Sequence, residues 1–91
     1  MSMIIEHFGK VLHDETQKPL LACKGLIRLA YKDVYGKDVE NKITYEEMEK
    51  LIEDGLRNRL KKLNIENIDA LIEKLQTERE KNQPIFKLGT F

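Results

Sequence analysis

Four oxygen-bearing side chains lying close together, Asp38, Glu40, Asn41 and Glu47, are the residues of this chain whose types and spacing could do chemistry. Carboxylate and carboxamide oxygens along a short loop are the donor set of a hard divalent cation. The other reactive types are scattered. His7 and His13 stand six residues apart beside Glu6 and Asp14. Helical metal ligands need a spacing of three or four, so six turns the imidazoles to different faces and predicts two solvated histidines. Cys23, the single cysteine, falls among apolar residues and reads as a small core side chain rather than a nucleophile. No glycine-rich phosphate loop and no serine beside a plausible base is found, so neither an enzyme nor a cofactor is expected.

A second group, Arg57, Arg59, Lys61 and Lys62, could meet phosphate. It falls at the end of a predicted helix, where basic residues also complement the helix dipole. The following helix would open on Glu66 and Asp69, which repel phosphates. Nucleic-acid binding is therefore the less favoured of the partner readings.

Helical periodicity supplies the elements that must position these groups. Ile4, Ile5, Phe8, Val11 and Leu12 recur on one face and predict a helix from Met3 to His13, with Ser2 as its N-cap. Pro19 opens a second helix that ends near Tyr35, with Gly36 as the C-terminal glycine. Its stripe of Leu20, Cys23, Leu26, Ile27, Ala30, Tyr31 and Val34 is widened by Leu21 and Leu29, which marks it as the central helix. Thr44 and Glu47 form a capping box for a third helix, with Met48, Leu51, Ile52, Leu56, Leu60 and Leu63 facing the core and Gly55 permitting a close helix approach. After a break at Asn64, Asn67 or Asn64 caps a fourth helix whose apolar edge is Ile68, Leu71, Ile72 and Leu75. That helix is expected to fade from Thr77 and to stop at Pro84. The expected architecture is an all-α bundle of about four helices in one domain, residues 1–83, followed by a short extended apolar tail, residues 84–91, with Ile85, Phe86, Leu88 and Phe91.

With Ile43 as the apolar anchor of the acidic loop and Glu47 four residues later, residues 25–52 resemble a degenerate EF-hand. They are similar to the first, variant hand of the small dimeric calcium-sensor family. The resemblance implies Gly36 at the first loop position, Asp38 at the third, Glu40 at the fifth, Asn41 at the sixth and Glu47 at the twelfth. The sequence departs from the pattern where glycine stands for the first aspartate and asparagine for the turn glycine. No resident metal is expected, with Asp38, Glu40 and Glu47 the candidate ligands if the loop did take a cation. Residues 57–71 have the outline of a helix-turn-helix corner, without the glycine pair of a hairpin clamp.

Composition narrows the function classes. At 91 residues a single domain removes only about 60–65% of its unfolded surface, so the core is thin. Sixteen basic residues balance sixteen acidic ones, and no global field steers the chain to nucleic acid or to an acidic membrane. Cys23 without a partner fits a reducing compartment, with cytoplasm as the expected location. The first apolar run, Met3 to Ile5, is too short to span or to target a membrane. These features predict a non-enzymatic protein-interaction or dimerisation module. A groove beside the second and third helices would be filled by the tail or by a partner, as in a homodimer, with Phe86, Leu88 and Phe91 as anchors. The alternatives are a small nucleic-acid-binding regulator acting through Arg57, Arg59, Lys61 and Lys62, and a degenerate EF-hand-like domain without strong calcium binding.

Overall fold

The computed structural model describes residues 3–40 and 42–88, with Lys87 and Leu88 described by backbone alone. Ser2, Asn41, Gly89, Thr90 and Phe91 lie outside the described residues, and so do the expectations placed on them. The elements are α1 (Met3–Thr16), α2 (Leu20–Tyr35), α3 (Tyr45–Lys50), a π-helical segment (Leu51–Leu56), α4 (Arg57–Lys62), α5 (Ile68–Lys81) and α6 (Gln83–Leu88). No strand occurs among the described residues. The fold is all-α.

α1 and α2 form an antiparallel hairpin. α1 runs three residues beyond the sequence expectation because Thr16 folds its hydroxyl back to the Leu12 carbonyl and the Gln17 amide still reaches the His13 carbonyl. Gln17 then turns the chain in a left-handed conformation, φ 62°. The two helices touch at Gly9, where an added Cβ would lie 2.8 Å from Lys24 Cγ. Beside that contact Lys24 Nζ reaches Glu6 at 2.6 Å. Gly36 ends α2 with φ 73°, as a C-terminal glycine should, and its amide caps the Lys32 carbonyl.

The Thr44 capping box forms as the sequence predicts: the Glu47 amide donates to Thr44 Oγ1 at 3.1 Å, and the Thr44 amide donates to Glu47 Oε1 at 3.0 Å. From there the helix continues to Lys62, but not as a uniform α-helix. Met48, Ile52, Leu56 and Leu60 are all fully buried at a strict four-residue interval. An α-helix drifts by about 40° at each such step, or about 120° from Met48 to Leu60. The wider turns of the π segment absorb that drift and keep all four side chains on the core. The shifted phase also corrects one expectation. Leu63, expected inside, is 41% exposed.

The break after α4 uses two asparagines in the left-handed region, Asn64 (φ 57°) and Asn67 (φ 54°). Asn67 occupies the N-cap position of α5, but in this conformation its side chain makes no capping hydrogen bond. Leu71, Ile72 and Leu75 then enter the core.

The chain end differs from the sequence expectation. α5 continues to Lys81, and Asn82 closes it by donating from its amide and from Nδ2 to the Glu78 carbonyl. Pro84 does not end structure; it falls in the first turn of α6, where its missing N–H has no consequence. The segment expected to be extended is thus helical through Leu88. Phe86, at 3% exposure, is a core residue, seated between Phe8 of α1 (centroids 6.1 Å apart) and Tyr45 of α3 (5.5 Å). The seat lies against α1 and α3, rather than in the groove expected beside the second and third helices.

Candidate functional site

The acidic loop is bound up with the packing of its flanking helices. Both Glu47 oxygens are engaged: Oε1 by the capping box, and Oε2 by the Tyr31 hydroxyl at 3.1 Å. Tyr35 donates to the Glu47 carbonyl, and the two tyrosine rings pack tilted against each other with centroids 4.8 Å apart. Burial first, and then the Glu47 carboxylate, hold the Tyr31 hydroxyl above its usual pKa, and the same pair of causes acts on Tyr35. Glu47 is therefore a clamp between α2 and the start of α3. Asp38 is exposed, 3.8 Å from Lys32 Nζ, and Glu40 is exposed as well. Among the described residues no three His, Cys, Asp or Glu side chains converge in a way that could hold a metal ion.

The basic run divides. Arg57 pairs with Asp69 at 2.6 Å and with Glu53 at 3.2 Å, and Arg59 grips both oxygens of Asp33 at 2.7 and 2.9 Å. These guanidiniums tie α4 to α5 and to α2. Lys61 and Lys62 are exposed and form no ion pair among the described residues. The Arg59 hydrogen bonds hold the Asp33 carboxyl below its usual pKa. A depressed folded-state pKa contributes stability above the unfolded value that is lost as pH falls through the folded one. Asp33→Asn should therefore lower the urea midpoint at pH 7, and the gap to the parent should close in acid as Asp33 protonates. A gap independent of pH would show that the pair contributes nothing.

The histidines are not simply solvated. His7 Nε2 lies 3.1 Å from Glu78 Oε1 and 3.2 Å from Asn82 Nδ2, which joins α1 to the end of α5. His13 Nδ1 meets the Lys18 carbonyl at 2.6 Å and braces the hairpin turn. Cys23 is a fully buried core residue, and burial raises its thiol pKa, which disfavours the thiolate.

Arg79 escaped the sequence reading. It is 6% exposed, with its guanidinium 3.9 Å above the Tyr45 ring, and donates to the Tyr45 carbonyl, Glu49 Oε2 and Gln76 Oε1. The only signal in the sequence was its place four residues after Leu75 on the apolar edge of α5. Its environment is a cation–π contact joined to a three-acceptor fork, a geometry that lysine cannot reproduce. Arg79→Ala should cost about 2 kcal/mol in chemical denaturation, and Arg79→Lys should recover little of it. Full recovery by lysine would reduce the contact to simple charge. The cleft beside Arg79, lined by Glu49, Lys50, Glu53, Asp54, Gln76 and Glu80, is open.

The packing leaves Met3 of α1 and Leu63 at the end of α4 exposed, and two leucines together on α2. Leu21 is 78% and Leu29 45% exposed, and they share a face with Gly25 at successive four-residue steps. A Cβ at Gly25 would meet nothing within 4 Å. Gly25→Ala should accordingly stabilise the isolated chain by about 0.5–1 kcal/mol, the helix-propensity difference, read as a higher thermal midpoint. A loss of stability would mean that Gly25 is packed.

Fold and surface together define a small all-α domain held by interhelical ion pairs, with an apolar helix face left over. Among the described residues no helix is long and apolar enough to cross a membrane. Comparison with protein-family models, with curated proteins and with solved structures finds no match.

Proposed function

We propose that this chain is a small non-enzymatic interaction module that offers an apolar helical surface to a protein, a second copy of itself included. The observation that supports the reading is the exposure of Leu21 and Leu29 on one face of α2. Exposed leucines that stand singly need no explanation, but two on one helical face with an open glycine between them form an apolar strip broken by a notch. The tail takes a supporting part in this reading, since Phe86 completes the core. Leu88 and Phe91, proposed with it as partner anchors, have no described side chains. A reducing compartment such as the cytoplasm suits the buried, unpaired Cys23.

The test is a photo-crosslinking residue placed at position 29, with the exposed, charged position 73 of α5 as control. A discrete adduct from 29 and none from 73, together with light scattering on the full chain, supports the reading and says whether the partner is self or foreign. A monomer with no adduct above the control ends it. Binding of nucleic acid through the unpaired Lys61 and Lys62 is the second reading, with Arg57 and Arg59 secondary because acids already hold them. A gel shift absent at about 50 mM salt removes it.

A further inference from the structure

The strip on α2 carries a chemical preference for what covers it. Leu21, Gly25 and Leu29 align along the helix, and the open space around Gly25 makes a notch between the two leucines. Inside the chain this glycine serves no close approach, in contrast to Gly9 and Gly55, whose added Cβ atoms would meet neighbours at 2.8 and 2.7 Å. The charge around the notch is mainly basic, although Lys32 Nζ lies 3.8 Å from the exposed Asp38. Arg28 and Lys32 are exposed on the same side of α2. Lys62 of α4 stands close enough to Asp33 to help lower its carboxyl pKa. Asp33, an acid of that border, is already gripped through both oxygens by Arg59.

Resting on the interaction reading above, we infer that α2 docks an amphipathic helix of a foreign partner. The partner's apolar side chains seat on the Gly25 notch between Leu21 and Leu29, and its glutamates or aspartates flank that seam opposite Arg28, Lys32 and Lys62. Helix-in-groove recognition supplies the affinity through the apolar anchors, and complementary charge fixes partner and register. A second copy of α2 is a poor occupant. Antiparallel pairing centred on Gly25 sets Lys32 of each copy against Lys18 of the other, and parallel pairing sets Arg28 and Lys32 against themselves. Like charges so placed work against wrong partners.

The test uses the full chain and two synthetic amphipathic helices of about 18 residues, with leucine along one face and either glutamate or lysine on both flanks. The readout is NMR titration of the isotope-labelled protein. The glutamate-flanked peptide is expected to shift residues of α2 and Lys62, and to bind at least about tenfold more tightly than the lysine-flanked one. Leu29→Glu should remove that binding. Gly25→Ala should weaken it several-fold while raising the thermal midpoint, a combination that a merely destabilising change does not produce. Equal affinity for the two peptides, shifts on another face, no binding at all, or binding of duplex DNA in the peptide's place would each overturn the inference. Concentration-dependent dimerisation abolished by Leu29→Glu would also overturn it, yet would leave the interaction reading standing with self as partner.

Discussion

Phe86→Ala should destabilise the protein by about 3–4 kcal/mol, a large part of what a domain of this size has. The side chain is buried in an aromatic seat, edge-on to Tyr45 and tilted against Phe8, and alanine would leave a ring-sized void that α1 and α3 cannot close without moving. For a chain of 91 residues the thermal midpoint should fall by about 15 °C. A chain stopped at Gln83 should behave at least as badly, because half-buried Ile85 leaves with Phe86. A urea denaturation curve on each variant checks this. A cost below about 1 kcal/mol would mean that the seat is empty much of the time in solution, and that the tail is available to a partner.

The Phe86 seat also shows where sequence reading stopped. Local rules were legible: the Thr44–Glu47 capping box, Gly36 at the end of α2, and the apolar face of α1 are determined within a few residues of chain, whereas on α2 Cys23, Ile27, Ala30 and Tyr31 are buried but Leu21 and Leu29, expected to widen the same stripe, are exposed. Pro84 was misread because a proline both ends one helix and begins the next, and which of these holds depends on whether the following residues have somewhere to pack. That place is built by Phe8 and Tyr45, distant in sequence. Leu63 failed for a related reason. Its expected inward position assumed one helical period from Thr44 onward, and the π segment changes the phase before Leu63 is reached. Arg79 was hidden because arginine on an apolar edge normally reads as its solvent boundary; only the Tyr45 ring and carbonyl beneath it draw it inside. The acidic loop displays the opposite case. Its candidate ligands do not converge among the described residues: Asp38 and Glu40 are exposed, and Glu47, whose capping role the Thr44 spacing announced, also receives the hydroxyl of Tyr31, a partner that no spacing rule announces.

Gly55→Ala should be the most damaging single-methyl change in the chain, and its sign should oppose that of Gly25→Ala. Both glycines sit inside helical segments, and at both alanine gains about 1 kcal/mol of helix propensity. At Gly55 the new Cβ would lie 2.7 Å from the Ala30 carbonyl oxygen, 2.8 Å from Ala30 Cβ and 3.1 Å from the Ala30 carbonyl carbon. Two of those three atoms are α2 backbone, so no rotamer change relieves the contact and the helices must separate. Overpacking of this kind costs roughly 1–3 kcal/mol and occasionally more. Parting α2 from the π segment would also loosen Ile27, Ile52 and Leu56, so a net loss of about 2 kcal/mol is expected. Ala30→Gly should rescue only part of it, because that change removes the Cβ contact and leaves the contact with the carbonyl oxygen. A double-mutant cycle on the two positions, read by chemical denaturation, measures the coupling. If Gly55→Ala instead stabilises as Gly25→Ala should, α2 and the π segment stand further apart in solution. The strict four-residue burial from Met48 to Leu60 would then need another cause.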